Sequence, residues 1–242
     1  MTEFQPIAIN KHETEHIVAI LDLLGASEII ASDKSEAVLN AISEIFDKAE
    51  STWPRLGNAP SVLHEIKCVT FSDNIAIALD ISELEDREHV IRSFIKYISV
   101  FQGAALKNGF LFRGGIAIGR LYMDSQSNFV WGKALVDAHL LEEKVAIYPR
   151  VVLGTPFDGE NDLSNIPRVQ QDFDGIYFVD YLPAIQKLYP SWIEKNKALI
   201  KGQFAARKGK AGQERILQKY GWLQRYIAQC EQVCTETQNF QL

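Results

Sequence analysis

The stretch HETEHIVAILDLLG, residues 12–25, admits two readings that lead to different folds. His12-Glu13-Thr14-Glu15-His16 has the H-E-x-x-H spacing of zinc hydrolases, which needs both histidines on one face of a helix. From Ile17 the chain is instead apolar and rich in β-branched residues, and it ends in Asp22, Leu23, Leu24 and Gly25. β-Branched runs before a glycine favour a strand. In a strand, residues i and i+4 stand about 13 Å apart at ~3.3 Å per residue, too far to share an ion. His64, His89 and His139 are isolated and supply no third ligand. We therefore read His16–Asp22 as a buried strand and the histidine-rich lead-in as solvated.

Helical spacing follows from Ser27 to about Trp53, with apolar positions Ile29, Ile30, Val38, Leu39, Ile42, Ile45 and Phe46 and a break near Ser32-Asp33. Pro54–Ser61 reads as a loop. Val62–Thr70 and Asn74–Ile81 are strand candidates meeting at Phe71-Ser72-Asp73-Asn74, a hairpin signal. Ser82 and Glu85 form a capping-box pattern for a helix from about Leu84 to Asn108. Its apolar face is Val90, Ile91, Phe94, Ile98, Phe101 and Ala105. Phe110–Tyr122 is strand-like, with Gly114, Gly115 and Gly119 allowing close backbone approach. Trp131–Val145 reads as a helix and Val151–Leu153 as a short strand. The order β-α-β-β-α-β predicts an α+β, ferredoxin-like palm: a mostly antiparallel sheet with helices on one face, the first strand beside the hairpin's leading strand.

After Thr155 the texture changes. A polar loop to Asp174, a strand at Ile176–Val179 and two long helical stretches suggest a palm at 1–155 and a mostly helical extension at 156–242 packed on it. Lys201, Arg207, Lys208, Lys210, Arg215 and Lys219, with Gly202, Gly209 and Gly212 among them, read as a mobile basic loop. It is either solvated or a lid over a phosphorylated ligand. The formal net charge of −6 argues against general nucleic-acid binding. Apolar runs of about five residues are far below the ~18 that span a bilayer. Cys68, Cys230 and Cys234 are too few for a disulfide framework, so the expectation is a cytoplasmic protein with reduced thiols.

On this palm Asp22 leaves the first strand and Asp73 sits in the hairpin turn, so the two carboxylates meet at one end of the sheet. Close carboxylates repel unless a cation lies between them. Mg²⁺, which takes one or two carboxylates plus substrate phosphates, is the natural occupant. Leu24, Gly25 and Ala26 then enter a helix whose N–H groups suit phosphate. Taken singly, Asp22 as a helix cap and Asp73 as an Asx turn would be ordinary structure.

The segments ILDLLG, TFSDN, FRGGIAIG and VWGKALVDAHLLEE resemble, in order and spacing, the landmarks of class III nucleotidyl cyclase domains. RGGIAIG, LEE and YPRVVL, with KYGWLQRY near the C-terminus, are most similar to the bacterial pyrimidine cyclases of Pycsar anti-phage systems. The resemblance covers roughly His16–Leu153, with an echo at Lys219–Tyr226. It implies a β-α-β-β-α-β palm that makes a 3′,5′-cyclic monophosphate from UTP, or second from CTP. Two Mg²⁺ or Mn²⁺ ions would be held by Asp22, Asp73 and the Leu23 carbonyl, with phosphates on Leu24, Gly25 and Ala26. The expected assembly is a head-to-tail homodimer with interfacial sites, its product read by a separate effector; no nucleic acid or membrane is involved.

The chain also departs from the family pattern. Val136 and Leu140 stand where purine cyclases carry a ribose-binding Asn and a transition-state Arg, and Phe129 stands where many adenylate cyclases keep a base-reading Asp. Arg113 is the first candidate to supply the missing charge, as a fork onto phosphate oxygens. Lys219 or the basic loop, from the same chain or a partner, comes next. Phe71 and Phe112 are candidates to narrow a base pocket. Asp137, His139, Cys230 and Cys234 are read as ordinary surface or packing groups. Two rivals stand beside the cyclase: a noncatalytic nucleotide-binding module on the same palm, and an RNA-binding ferredoxin-like domain.

Overall fold

The computed structural model describes residues 12–26, 35–52, 66–124, 129–154, 165–189 and 191–239. The break near Ser32-Asp33, the loop 54–61 and the start of the polar loop at 155–164 lie outside them. β1 (Thr14–Leu23) confirms the strand reading of the opening stretch. It is followed by α1 (Ser35–Thr52), β2 (Lys67–Phe71), β3 (Asn74–Asp80), α2 (Arg87–Lys107) and β4 (Phe112–Asp124). Then come β5 (Phe129–Trp131), α3 (Lys133–Lys144), β6 (Val151–Leu153), β7 (Val169–Gln171) and β8 (Tyr177–Val179). Helices α4 (Leu182–Leu188), α5 (Trp192–Arg207) and α6 (Glu214–Asn239) complete the chain.

The sheet order is β2-β3-β1-β4-β6-β8-β7, with β5 paired to β4. The first four strands are antiparallel and form the expected ferredoxin-like palm. Two details differ from expectation. β1 lies beside β3, the hairpin's second strand, because the leading strand β2 sits at the edge. Helices also cover both faces, not one. Ile17, Ala19 and Leu21 face α2, with Ile45 of α1 and Phe94, Ile98 and Phe101 of α2 in the same cluster. Val18 and Ile20 face the other way, onto Ala134 and Ala138 of α3. Burial on both sides is why β1 reads as an unbroken apolar run rather than an alternating one. It also leaves no open central sheet for stacking bases, which removes the physical basis of the RNA-binding rival.

Gly115 is what lets α3 approach. A Cβ there would lie 2.4 Å from the Ala138 carbonyl oxygen and 2.5 Å from Leu141 Cβ. Ile42, Ile45 and Phe46 of α1 join the core, whereas Leu39 is exposed. α2 is capped by Asp86, which accepts from the His89 N–H at 3.0 Å, not by the Ser82/Glu85 box. Ser82 instead donates to Asp80 at 2.6 Å. Trp131 ends β5, so α3 starts two residues later than expected, and the polar loop before Asp174 contains β7.

Past residue 155 the chain adds β8 and β7 to the same sheet, then packs α4–α6 against Leu106, Val152 and Phe178. The junction is a buried polar knot. Arg150, fully buried, pairs with Asp172 and, at 2.5 Å, with Asp174. Trp222 Nε1 donates to Asp172 at 2.5 Å, and its ring stacks on Tyr148 at 6.0 Å. The Tyr226 hydroxyl accepts from Tyr181 N at 2.9 Å and Leu182 N at 3.1 Å and bonds Asp180. The YPR and KYGWLQRY motifs thus tie α6 to the palm. The expected basic loop is mostly helix: Lys201 and Arg207 belong to α5, Arg215 and Lys219 to α6, and only 208–213 turn between them. Its charges are mainly the solvated sides of two helices.

Candidate active site

Strand register builds the site. Phe71 pairs with Asn74, Asn74 with Asp22, and Asp22 with Arg113. Directly paired residues share a sheet face, so these four form a row across β2, β3, β1 and β4 on the α3 side. Asp73 is next to the row: its carbonyl accepts from Leu23 N at 3.0 Å, and its carboxylate lies 3.4 Å from Asn74 Nδ2. Ser72 turns the hairpin in the left-handed region at φ +57°, a conformation that costs a non-glycine residue about 1 kcal/mol or more.

Arg113 ties the row to α3. Its Nε donates to Asp22 Oδ2 at 2.7 Å, and its Nη2 lies 2.6 Å from Glu142 Oε1. Arg113 is a quarter exposed, whereas the Glu142 side chain is 4% exposed. This is more than a surface ion pair. Burial pushes the Glu142 carboxyl up, with Arg113 opposing and Asp22 adding to the rise. Glu142 Oε2 reaches the exposed His139 at 3.3 Å, and Asp137 pairs with Lys133. Sequence reasoning missed Glu142 as a site residue. Its signal was present: it stands four and eight residues after Ala138 and Ala134, on the buried stripe, where an unpaired carboxylate would not survive.

Lys219, four residues past the α6 residue Arg215, comes within electrostatic range. Burial lowers its pKa, the Arg113 charge lowers it further, and Asp22 opposes them. Two expected roles change. The Leu24 N–H donates to the Leu111 carbonyl at 2.9 Å, so it is spent before any phosphate arrives. Gly25, at φ +83°, and Ala26 remain for that task. Phe112 is buried against Phe101 at 5.4 Å in the core on the opposite face, so it cannot narrow a pocket here. Phe71, half-exposed on the site's own face, can.

Among the described residues no group of three or more His, Cys, Asp or Glu side chains could hold a metal ion. Asp22, Asp73 and the Leu23 carbonyl offer two carboxylates and one neutral oxygen, with Asp22 Oδ2 already taken by Arg113. That donor set suits a hard divalent ion completed by phosphate oxygens and water, rather than an all-protein cage.

No protein-family model matches the chain, and no curated protein matches it in sequence. Solved structures align with part of it. The adenylyl cyclase CyaB from P. aeruginosa aligns at 13% identity and a TM-score of 0.45, over 71% of this chain and 96% of that one. A class III adenylyl cyclase-like ATP-binding protein from Pseudomonas aeruginosa aligns at 12% and 0.48, over 73% of this chain and 40% of that one. The catalytic core of a rhodopsin-guanylyl cyclase with converted specificity, in complex with ATPαS, aligns at 14% and 0.45, over 72% and 98%. Among the described residues no helix is long and apolar enough to cross a membrane.

Proposed function

We propose that the chain is a nucleotidyl cyclase that converts a pyrimidine nucleoside triphosphate, UTP before CTP, into its 3′,5′-cyclic monophosphate and pyrophosphate. The observation that supports this most is the row Phe71, Asn74, Asp22 and Arg113, with Asp73 bonded alongside. It gathers at one sheet end the carboxylates, arginine and glycine turn that a triphosphate needs. In the reaction the ribose 3′-oxygen bonds to the α-phosphorus, its proton is lost, and the bond from that phosphorus to the β-phosphate oxygen breaks.

Asp22, Asp73 and the Leu23 carbonyl would hold two Mg²⁺ or Mn²⁺ ions, which neutralise triphosphate charge and acidify the 3′-hydroxyl. Arg113, held by Glu142 through Nη1 and Nη2, would turn its Nε edge from Asp22 to phosphate oxygens, and Lys219 would add a second positive charge. Gly25 and Ala26 orient phosphate by backbone N–H. Such positioning and charge neutralisation are most of what phosphoryl transfer asks of a protein. Phe71 narrows the base side toward a single ring.

Phe129, Trp131, Val136 and Leu140 are exposed and apolar on β5 and α3. A head-to-tail homodimer would cover them and set the site at the interface. Residues 1–155 would form the catalytic unit, with 156–242 as an extension packed on it, in a cytoplasmic protein whose product signals to a separate effector in antiviral defence. A noncatalytic nucleotide-binding module is the second reading, favoured by the apolar exposed Val136 and Leu140 where other cyclases need Asn and Arg. The test is incubation with Mn²⁺ and each of ATP, GTP, CTP and UTP, with products identified by mass and Asp73→Ala alongside. A cyclic pyrimidine product absent from the variant supports the cyclase. A cyclic purine product shifts the substrate, and metal-dependent binding without turnover supports the binding module.

A further inference from the structure

Away from the row, three cations from three elements line one small cavity between α2, α4 and the lead into β7. Lys96, Ser99 and Val100 stand at i, i+3 and i+4 on α2, and Ala184, Lys187 and Leu188 repeat that spacing on α4, so each set shares a helix face. Arg168 completes the wall. The cavity measures about 10 Å³, room for one water-sized group.

The wall is positive and holds no carboxylate among the described residues. Lys96 and Arg168 are half-buried, and Lys187 is exposed. None of the ion pairs among the described residues involves Arg168 or Lys187. The Asp180 carboxylate feels the Arg168 charge, but it bonds Tyr226 and is not in the wall. The Ser99 hydroxyl proton is spent on the Asp180 carbonyl at 2.8 Å. Burial lowers the Lys96 pKa, and the charges of Lys187 and Arg168 lower it further. Arg168 is also held in the left-handed region at φ +71°, its carbonyl accepting from Asp180 N at 2.8 Å. That conformation costs a non-glycine residue about 1 kcal/mol or more, and strain of this kind collects where a side chain must be placed. Like charges gathered by a fold repel unless an anion lies among them. One carboxylate answers only one of three charges. A phosphate dianion can set one oxygen in the cavity and turn the others to the guanidinium fork and to Lys187 at the mouth.

We propose that Lys96, Arg168 and Lys187 form a site, separate from the row, for the terminal phosphate of a small molecule. Binding there does not depend on the cyclase reading. The full chain and Arg113→Met are titrated with inorganic phosphate, methyl phosphate and acetate by calorimetry. The titrations run at about pH 8, where phosphate is largely doubly charged, with ionic strength held constant by chloride. The expected result is a phosphate site of Kd about 1 mM or tighter that Arg113→Met retains, with acetate at least about tenfold weaker. Lys187→Gln and Arg168→Gly each weaken it about three- to tenfold. Glycine suits the left-handed turn, so loss in Arg168→Gly reads the charge and not the fold. Methyl phosphate binding as well as phosphate makes the ligand a phosphomonoester, and binding of phosphate alone makes it the free ion; both carry the proposal. Absence of binding at ~20 mM phosphate, or acetate binding as tightly, overturns it. So does binding that neither variant alters while both remain folded by circular dichroism. Loss of binding in Arg113→Met would put the phosphate in the row and overturn it too.

Discussion

Arg113 Nε donates to Asp22 Oδ2 at 2.7 Å, so the residue proposed to hold phosphate also occupies an oxygen that the proposed metal ion would use. The two tasks compete. Arg113→Met frees Asp22 and leaves it near the buried Glu142 with less positive charge between them, a setting that draws a cation. Mn²⁺ affinity should rise by up to about tenfold, the scale of a partly exposed ion pair. Cyclic product formation should fall by about 10²–10³, as when one preorganised charge donor is lost. Electron paramagnetic resonance of free Mn²⁺ and a turnover assay read the two separately. A parallel fall in both would mean that Arg113 acts only through the fold.

Gly115 sets the distance between α3 and the sheet. Gly115→Ala places a methyl group against the Ala138 carbonyl and Leu141 Cβ, both on the helix. The helix must lift, and Glu142 and its grip on Arg113 lift with it. The expected cost is about 3 kcal/mol, at the upper end for overpacking, measured as a lower urea midpoint. Gly25→Ala meets no atom but adopts a left-handed φ, so it should cost only about 1 kcal/mol.

Tyr226 closes three hydrogen bonds with one hydroxyl. Tyr226→Phe leaves the Tyr181 and Leu182 N–H groups and the partly buried Asp180 carboxylate short of a partner. A loss of about 2–3 kcal/mol is expected for groups left unsatisfied, seen in thermal unfolding. Trp222→Phe, which spares those bonds but loses the donor to Asp172, should cost less.

The Arg150 knot carries a pH signature. Burial raises the Asp174 carboxyl, but hydrogen bonds from Arg150 and the Ile176 N–H, with the arginine's charge, outweigh it and hold the pKa below the ordinary value. A depressed folded-state pKa contributes stability above the unfolded value of about 3.9 and loses it as pH falls through the folded value. Asp174→Asn should therefore be less stable than the parent by about 1 kcal/mol at neutrality, given its part exposure. The gap should close below about pH 4. Urea titrations at both ends of that range test it, and a gap that persists in acid contradicts the assignment.

Most of the palm was legible because its signals are local. β-Branched runs mark β1 and β3, and Phe71-Ser72-Asp73-Asn74 marks the hairpin that joins β2 to β3. Asp22 and Asp73 were then brought together by topology alone. The second helical layer was not legible, since α3 docks through Ala134 and Ala138 on Gly115, and small residues leave a weak apolar stripe. Glu142 was hidden for the same reason: a carboxylate on that stripe looks like surface until Arg113 stands beneath it. The basic segment misled because charges on two helix flanks look like a charged loop when the turn between them is short. Leu24 was assigned to phosphate because nothing in the sequence shows that Leu111 already takes its N–H.

The four-residue row also determines which changes of length the chain tolerates. Side chains alternate faces along a strand, so deleting one residue inside β1 between Ile17 and Asp22 would send Asp22 to the opposite face, among the side chains of α2. A two-residue deletion would restore its face but move it one pair along the ladder, away from Arg113. Within these strands, insertions and deletions are barred whatever residues they carry. Length variation among functional versions of this chain should therefore collect outside the span from Thr14 to Leu23 and the paired stretches of β3 and β4.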